Sequence, residues 1–443
     1  MSNARLVALE ALLKVNIESG YSNIVIDKII KKYKLSDKDK SLATAIFYGV
    51  LERKITLDYV ISQYSKTPLK NLSKEVLEIL RIGIFQLLYM DKIPSCAAVN
   101  ESVNLVKIKH QSKASGFVNG ILRTFLRNDK TFKKPKSKKE SLSIEYSCPV
   151  WIIELWIKAY GEKNTLEILK SLVGRPPINI RVNNLKTSRK QLKELLISEG
   201  LSVQNASIEN ALNLSSTGQI DSLKSYKQGL FHVQDIASQI CCKVLNPQPG
   251  DTIIDVCSAP GGKAFTLAEI MGNVGQIFAF DQYDAKVNLI KSGVQRLGVT
   301  IIEAQKRDAR KSELNPGKAD KILCDVPCSG LGIMRRKPEI RYREQSLIED
   351  LPEIQYDILC KSANLLKIGG TIVYSTCTLN PAENSEIAER FLKEHSGEYE
   401  PQMIDYEALN FKRNDFDKEN QLTLMPHIHG TDGFFIAVFK KVR

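Results

Sequence analysis

The segment Thr252-Ile-Ile-Asp-Val-Cys-Ser-Ala-Pro-Gly-Gly-Lys-Ala264 decides the fold of the C-terminal half of this chain. A β-rich apolar run ends at Asp255, a glycine-containing loop follows, and a helical run begins near Gly262. The loop is not G-x-G-x-x-G and lacks the G-K-[ST] ending of triphosphate sites, which disfavours dinucleotide and nucleoside triphosphate ligands. Ligands of open α/β sheets bind beyond the carboxyl ends of strands, so the loop predicts a ligand site there.

Apolar strand-like runs alternate with helical runs around this loop. The predicted strands cover residues 252–256, 276–280, 300–304, 321–325, 371–375 and 434–439. The predicted helices cover residues 262–271, 285–297, 354–366 and 382–394. This alternation is typical of a doubly wound parallel sheet, so we expect an α/β Rossmann-like domain over residues 241–443.

The residues before this domain divide into a helical part and a smaller mixed part. Residues 1–128 show helical periodicity and contain few prolines or glycines, which predicts an all-α bundle. A capping-box pattern of Ser36 and Asp39 marks the start of one helix. Residues 146–240 contain a predicted helix pair at 150–172, followed by strand-like and helical runs, and are expected to form a small α/β module.

A lysine-rich segment over residues 129–145 connects these two parts. It contains Lys130, Lys133, Lys134, Pro135, Lys136, Lys138 and Lys139. A lysine run with a proline is a poor helix former, so the segment is predicted to be a linker. It is either a solvated tether or a tether that also contacts RNA phosphates.

The composition narrows the class of partner and the compartment. Lysine and arginine number 63 against 50 acidic residues, and the net charge of +13 favours a polyanionic partner. The sequence shows no signal peptide and no apolar run of about 18 residues, so we expect a cytoplasmic protein with no membrane partner. The nine cysteines include no C-x-x-C pair, which favours free thiols and disfavours a metal site.

Acidic residues follow three successive predicted strands. Asp255 ends the first strand, Asp281 the second, and Asp308 lies past the third. The second position is where such folds place an acid that accepts ribose hydroxyls, and Asp308 could bind an adenine amino group. Any one of these acids could instead belong to an ordinary surface turn. Together with Gly261 and Gly262, they predict a nucleoside ligand without a pyrophosphate.

Two later strand ends carry cysteines. Asp325-Val-Pro-Cys-Ser-Gly-Leu-Gly332 places Cys328 in a tight loop, and Tyr374-Ser-Thr-Cys-Thr378 places Cys377 after the next strand. Both thiols are therefore expected beside the nucleoside site, although each could be a buried small residue without a chemical role. The arginines that follow the first loop either contact RNA phosphates or form a solvated basic loop: Arg335, Arg336, Arg341 and Arg343.

Two thiols and an acid beside a nucleoside site suit the methylation of a pyrimidine. The C5 carbon of cytosine is a poor nucleophile, but addition of a thiolate to C6 lets C5 attack a methyl sulfonium. Asp325 could hydrogen-bond the exocyclic amine and N3 and stabilise charge on the ring. The C5 proton must leave before the enzyme thiol is eliminated, and Cys328 is placed to assist that step.

The DVCSAPGGKA, DVPCSGLG and YSTCT segments resemble the cofactor loop and the two cysteine loops of the RNA (cytosine-5) methyltransferase family. The resemblance implies a Rossmann-like domain that uses S-adenosyl-L-methionine. It implies Cys377 as the nucleophile, Cys328 as the thiol that promotes product release, and Asp325 as the catalytic aspartate. The implied cofactor contacts are Asp255, Cys257, Ser258, Ala259, Pro260, Gly261, Gly262, Lys263, Asp281, Asp308 and Asp325.

Segments outside the catalytic domain extend the resemblance. Residues 181–187 and 229–238 resemble the small module of the family, and residues 426–435 resemble its closing segment. The helical N-terminal region resembles the NusB-type RNA-binding bundle, which points to the RsmB (Sun, Fmu) branch. That branch implies one cytosine of 16S ribosomal RNA as the substrate. The candidate RNA contacts are Arg181, Arg335, Arg336 and Arg341.

Three alternatives to this function stay open at the level of the sequence. A tRNA cytosine-5 methyltransferase would use the same chemistry on another RNA. A DNA cytosine methyltransferase would place its nucleophile in the P-C loop, which here holds Cys328. A non-catalytic RNA-binding factor would need neither cysteine. We expect a monomer that binds ribosomal RNA and no DNA.

Overall fold

The computed structural model describes residues 4–18, 22–215, 220–311, 317–409, 411 and 413–443, and these form two compact units. The helical unit contains the described residues up to Gly174 together with Met334–Arg343. The α/β unit contains the described residues of Arg175–Ile333 and Glu344–Arg443. None of the helices in these residues is long and apolar enough to cross a lipid bilayer.

The helical unit confirms the predicted all-α bundle. Its α-helices are α1 (Ala4–Glu18), α2 (Ser22–Lys32), α3 (Asp37–Glu52), α4 (Lys54–Tyr64), α5 (Lys74–Tyr89), α6 (Ser95–Ile108), α7 (Ser115–Arg127), α8 (Lys138–Tyr146) and α9 (Val150–Ser171). Ser36 caps α3 by accepting a hydrogen bond from the Asp39 N–H at 3.2 Å, as the capping pattern predicts. The central helix is α5, whose residues are buried on nearly every side.

The predicted linker over residues 129–145 is partly helical and packs against the helical unit, which its composition does not predict. Its second half forms α8, which Ser137 caps. Its first half lies on α4, because Tyr59 and Gln63 both donate hydrogen bonds to the Lys133 carbonyl, at 2.9 and 3.0 Å. Most of the lysine side chains in this segment are exposed, whereas the Lys133 backbone carbonyl accepts the hydrogen bonds that fix the segment on α4.

The helical unit also continues further along the chain than residue 128. Helix α9 belongs to this unit and is interrupted at Gly161, which has a φ of 77°, so its halves match the predicted helix pair. Trp156 is fully buried in α9. The α/β unit therefore begins after Gly174, within the predicted module of residues 146–240.

The α/β unit contains two sheets with flanking helices. Its strands are β1 (Ile178–Val182), β2 (Ser202–Asn205), β3 (Ala211–Ser215), β4 (Phe231–Val233), β5 (Thr252–Asp255), β6 (Gln276–Asp281), β7 (Ile302–Lys306), β8 (Ala319–Asp325), β9 (Leu366–Thr376), β10 (Tyr399–Pro401), β11 (Gln421–Leu424) and β12 (Phe434–Lys441). Its helices are α10 (Arg189–Ser198), α11 (Lys224–Lys227), α12 (Ile236–Leu245), α13 (Gly262–Ile270), α14 (Asp284–Leu297), α15 (Leu351–Ala363), α16 (Ser385–Glu394), α17 (Tyr406–Leu409) and α18 (Pro426–His429).

The larger sheet confirms the predicted Rossmann-like domain. Its strand order is β10-β12-β9-β8-β5-β6-β7, with β11 paired to β12. Strands β5 to β9 are parallel, so their carboxyl ends share one edge. The expectation of a wholly parallel sheet is wrong at one side, where β12 runs antiparallel to β9. The segment between β11 and β12 is too short for a crossover that would make those two strands parallel.

The smaller sheet is antiparallel, with the order β2-β3-β1-β4. Helix α10 begins with a capping box in which Ser188 and Gln191 bind each other's backbone N–H groups. This sheet and α10 form the small module that the sequence predicts before the catalytic domain.

Candidate active site

The Asp255 carboxylate is buried at the end of β5 without a well-formed hydrogen bond. The residue is 1% exposed, and neither oxygen accepts a well-formed hydrogen bond within the described residues; the Ser258 hydroxyl and the Cys257 N–H only partly stabilise its charge. Burial raises the pKa of this carboxyl to about 7. A buried acid without well-placed donors is costly, so a ligand that carries donors or a positive charge would stabilise it.

The loop after β5 turns tightly into α13. The predicted cofactor contacts Cys257, Ser258, Ala259, Pro260, Gly261, Gly262 and Lys263 all lie on this loop or in the first turn of α13. The Gly261 N–H donates to the Ser258 carbonyl at 2.7 Å. Gly261 has a φ of 102°, and a Cβ atom there would lie 2.5 Å from the ring of Phe265. Glycine is therefore required at this position for two separate reasons.

Asp281 and Asp308 lie at the two strand ends next to this loop. Asp281 ends β6, and its Oδ1 accepts a hydrogen bond from the Tyr283 N–H at 3.2 Å. Asp308 follows β7 and is held by the Arg310 guanidinium, with nitrogen to oxygen distances of 3.0 and 2.8 Å. These hydrogen bonds hold the pKa of Asp308 below its ordinary value. A contact between Asp308 and an adenine amino group would share oxygens that Arg310 already binds.

The side chain of Asp325 is fixed at the end of β8. Its Oδ2 lies 2.6 Å from Lys263 Nζ, and its Oδ1 accepts a hydrogen bond from the Ser375 hydroxyl at 2.9 Å. Burial works in the opposite direction, but the Asp325 carboxylate raises the pKa of Lys263 above its ordinary value. Lys263 is therefore a cation at neutral pH, and it also lies over the Phe434 ring at 5.2 Å. One residue of the cofactor loop thus orients the acid of the first cysteine loop.

The thiols of Cys328 and Cys377 meet at the carboxyl ends of β8 and β9. Their sulfur atoms are 3.2 Å apart, well beyond the bond length of about 2.05 Å in a disulfide, so both are free thiols. The hydrogen bond to Cys377, together with burial, raises the pKa of Cys328 well above its ordinary value. Cys328 is therefore a protonated thiol at neutral pH, and Cys377 is within its hydrogen-bonding reach.

Two of the four arginines predicted to contact RNA are buried, and for them the prediction is wrong. Arg181 donates to Glu269 on α13 at 2.8 Å, and its side chain is 8% exposed. Arg341 is 1% exposed and donates to the carbonyls of Glu52 and Tyr146 at 3.0 and 3.3 Å. Both guanidinium groups hold protein segments together. Arg335 and Arg336 are only partly buried.

Sequence reasoning missed two polar residues that are buried beside the thiols. Glu383 and Asn384 follow the Cys377 loop and are 0% and 2% exposed. Their hydrogen bonds reach the loops of both cysteines. One sequence feature could have predicted this turn. The run Asn380-Pro-Ala-Glu-Asn384 directly follows the second cysteine loop, and a carboxyl and two amides there suit a hydrogen-bonded turn.

Comparison with known proteins places the chain in a family. The family described as 16S rRNA methyltransferase RsmB/F matches residues 242–440, the NusB family matches residues 2–127, and the RsmF/B-like ferredoxin-like domain matches residues 148–221. The probable ribosomal RNA small subunit methyltransferase B of Bacillus subtilis (strain 168) is 37% identical over 447 residues, which cover 99% of each chain. The chain belongs to the RsmB/F family.

Another relative and two solved structures are also similar to this RsmB/F chain. The ribosomal RNA small subunit methyltransferase B of Proteus mirabilis (strain HI4320) is 31% identical, over 99% of each chain. The crystal structure of PH0851 is 27% identical with a TM-score of 0.86, over 99% of this chain and 98% of its own. A methyltransferase homolog protein from Pyrococcus horikoshii is 28% identical with a TM-score of 0.60, over 69% of this chain and 100% of its own. The family resemblance and the methyltransferase class predicted from the sequence are confirmed.

S-adenosylmethionine is the cofactor that membership of this methyltransferase family implies, and the residues of the β5 and β6 ends fit it. The unpaired, buried Asp255 carboxylate suits the α-ammonium group of the methionyl part. The buried Asp281 carboxylate, one strand further along the sheet, suits the two ribose hydroxyls.

Affinity for S-adenosylmethionine is expected to increase as the pH rises from about 5 to 7. Asp255 has a pKa of about 7 in the free protein, so cofactor binding at lower pH must first displace its proton. The affinity should therefore change up to about tenfold per pH unit, while the cofactor ammonium, with a pKa of about 7.7, stays charged. Titration calorimetry across this range measures the slope. An Asp255→Asn variant with the same slope as the wild type would contradict the assignment.

Replacement of Asp281 by alanine is expected to weaken cofactor binding by about 1–3 kcal/mol, since charge-assisted hydrogen bonds to the ribose are lost. Asp284→Ala is the matched control, because Asp284 begins α14 and its side chain is 71% exposed beside Lys306. Calorimetry at one pH compares the two variants. Equal affinities of Asp281→Ala and the wild type would show that Asp281 does not bind the ribose.

Proposed function

We propose that this chain methylates C5 of one cytosine in 16S ribosomal RNA through a covalent bond between Cys377 and C6 of the base. The observation that carries the proposal is the thiol pair, whose sulfur atoms are 3.2 Å apart at the ends of β8 and β9. The same sheet edge holds Asp255, Asp281 and Asp325. A methyltransferase that acted on a stronger nucleophile would need neither thiol.

Cys377 forms the covalent bond in the proposed mechanism. Its thiolate adds to C6, which breaks the C5–C6 double bond and places electron density on C5. When bound, S-adenosylmethionine supplies an electrophilic methyl group on a sulfonium. Cys377 thus converts an unreactive ring carbon into a nucleophile, and one difficult step becomes two easier ones.

Asp325 stabilises the ring while Cys377 is attached. Lys263 and the Ser375 hydroxyl hold its carboxyl group, so little reorganisation is needed when the base binds. In this role the Asp325 carboxylate accepts hydrogen bonds from the exocyclic amine of the cytosine and from N3 once N3 carries a proton. Lys263 contributes a fixed positive charge 2.6 Å from Asp325 Oδ2, where it offsets the negative charge that develops on the ring.

Cys328 serves the release step. After methylation the C5 proton leaves, its electron pair restores the C5–C6 double bond, and the Cys377 sulfur departs as a thiolate. Cys328 is a protonated thiol 3.2 Å from that sulfur, so its S–H can donate a hydrogen bond to the departing thiolate. Removal of Cys328 therefore slows elimination more than it slows methylation.

In this proposal, the regions outside the cofactor site bind the RNA. Relatives named ribosomal RNA small subunit methyltransferase B match this chain along nearly its full length, which supports the same RNA class here. We assign RNA contacts to the NusB-like helices, to the small module, and to Arg335 and Arg336. The excess of 13 positive charges favours binding to RNA phosphates. The protein is proposed to act in the cytoplasm as a monomer, with no DNA substrate.

Substrate competition tests this function. Unmodified 16S ribosomal RNA, unmodified tRNA and a cytosine-containing DNA duplex are each incubated with the enzyme and methyl-labelled S-adenosylmethionine. Nucleoside analysis should find 5-methylcytidine at one position of the 16S RNA and only background label in the other two. Label mainly in tRNA would identify a tRNA methyltransferase, and a label on another atom of the base would contradict the C5 assignment.

A further inference from the structure

Two consecutive buried residues, Glu383 and Asn384, lie in the turn between β9 and α16. They are 0% and 2% exposed, although one carries a carboxyl and the other an amide. Buried polar groups of this kind are costly unless they are fully hydrogen-bonded, and both side chains are. Their partners show that the two residues serve different loops.

The Glu383 carboxyl binds the loop of Cys328. Its Oε2 accepts hydrogen bonds from the Ser329 N–H at 2.8 Å and from Gln355 Nε2 at 2.9 Å. Its Oε1 accepts from the Ser329 hydroxyl at 2.5 Å and from Asn380 Nδ2 at 3.0 Å. Gln355 Nε2 also donates to the Pro327 carbonyl at 2.9 Å. The residues before and after Cys328 are therefore both fixed through Glu383.

The Asn384 amide binds the loop of Cys377 in a comparable way. Its Oδ1 accepts a hydrogen bond from the Thr376 hydroxyl at 2.6 Å, and its Nδ2 donates to the Thr378 carbonyl at 2.9 Å. These partners are the two chain neighbours of Cys377. One amide thus fixes the backbone on both sides of the proposed nucleophile.

We propose that Glu383 is the positioning residue for Cys328 and Asn384 the positioning residue for Cys377, so that adjacent residues control different halves of the reaction. The inference rests on the proposed covalent mechanism. Glu383 then governs release of the methylated RNA, and Asn384 governs formation of the bond to C6. The two networks meet where the Ser329 hydroxyl lies 2.8 Å from the Thr378 hydroxyl, but the direct side-chain partners of Glu383 in the Cys328 loop and of Asn384 in the Cys377 loop are different residues.

Isosteric substitutions separate the two roles. In Glu383→Gln, the amide nitrogen must replace either Oε1 or Oε2. The Ser329 hydroxyl can turn to accept from it, but the N–H donors of Asn380, Ser329 and Gln355 cannot, so at least one hydrogen bond is lost without a change of shape. In Asn384→Asp, the donor to the Thr378 carbonyl is lost while the acceptor for Thr376 remains. A displacement of about 1 Å in either loop is enough to disturb a reaction that depends on the placement of both thiols.

The experiment measures two quantities under single-turnover conditions with 16S ribosomal RNA. One is the rate at which methyl groups enter the RNA, and the other is the fraction of RNA bound covalently to protein on a denaturing gel. For Glu383→Gln we expect the methylation rate to stay within about threefold of the wild type and the covalent fraction to rise about tenfold. For Asn384→Asp we expect the rate to fall about tenfold or more without a rise in the covalent fraction.

Three controls make the outcome decisive. Glu386→Gln changes an exposed acid in the first turn of α16 and should match the wild type in both measurements. Cofactor affinity by calorimetry shows whether each variant is folded. If Glu383→Gln does not bind cofactor, Ser329→Ala removes the hydroxyl that donates to Oε1 and should raise the covalent fraction in its place.

Parallel losses of both measured quantities in both variants, or a wild-type covalent fraction in folded Glu383→Gln, would overturn the division of roles. Cys328→Ala separates this failure from failure of the proposed function. If Cys328→Ala accumulates covalent RNA and Glu383→Gln does not, only the positioning role is wrong. If no variant, including Cys328→Ala, forms covalent RNA, the covalent mechanism itself is wrong.

Discussion

The Cys377→Ala variant is expected to lose methyl transfer by on the order of a thousandfold or more, because the proposed mechanism then lacks the thiolate that activates C5. Cofactor binding should be unchanged, since none of the predicted cofactor contacts lies on β9 or on the loop after it, which holds Cys377. Single-turnover transfer of labelled methyl groups to 16S ribosomal RNA measures the loss, and calorimetry measures cofactor affinity in the same preparation.

Cys96→Ala is the matched control for this variant, because Cys96 is an exposed cysteine on α6 of the helical unit. It should methylate at the wild-type rate. Turnover by Cys377→Ala within about tenfold of the wild type would remove the nucleophile assignment. If Cys328→Ala lost all transfer instead, the roles of the two thiols would be exchanged, as in a DNA-type cytosine methyltransferase.

The Cys328→Ala variant is expected to methylate its RNA once and then retain it. The alanine removes the S–H that lies 3.2 Å from the Cys377 sulfur, so the departing thiolate loses its hydrogen-bond donor. Multiple turnover should fall by about a hundredfold or more, as it does when a general acid is removed, while the first methyl transfer stays close to the wild-type rate. A burst of one methyl group per enzyme, followed by a slow phase, is the expected time course.

The double variant Cys328→Ala with Cys377→Ala checks the origin of this retained RNA. It should show neither the burst nor a covalent band on a denaturing gel. A burst from Cys328→Ala without any covalent band would contradict the release role, because retention would then be non-covalent. Steady turnover by Cys328→Ala at the wild-type rate would show that Cys328 has no part in the reaction.

The local sequence predicts the strand ends of the catalytic domain well, for a physical reason. Each buried parallel strand is a short apolar run, and the polar or glycine-rich residue that ends it marks the functional edge of the sheet. Asp255, Asp281, Asp325, Cys328 and Cys377 could therefore be placed at strand ends from the sequence. Their side-chain contacts, such as Lys263 with Asp325, depend on packing between segments more than 60 residues apart.

The sequence does not show which charged residues are buried. Arg341 stands among other arginines in a segment that looks like a basic loop, yet carbonyl groups of Glu52 and Tyr146 bind it in the interior of the helical unit. Glu383 similarly looks like an ordinary acid at a helix start. A charged side chain is normally exposed unless specific partners satisfy it, and those partners are visible only in the folded chain.

The sequence also did not predict the direction of β12 or the packing of the lysine-rich residues 129–145. Strand β12 is as apolar as the parallel strands β5 to β9, so its composition does not reveal that it runs antiparallel to β9. Residues 129–145 have the composition of a solvated tether, but Tyr59 and Gln63 of α4 bind its backbone. Composition describes side chains, whereas both of these features depend on where the backbone runs.

The most direct test of the covalent mechanism is the identity of the residue that carries the RNA. Covalent complex formed by Cys328→Ala with 16S ribosomal RNA and S-adenosylmethionine is digested with protease and nuclease, and the modified peptide is sequenced by mass spectrometry. We expect a methylated cytidine nucleotide attached to Cys377. Attachment to any other residue, or a methylated RNA product with no attached peptide at all, would contradict the covalent mechanism.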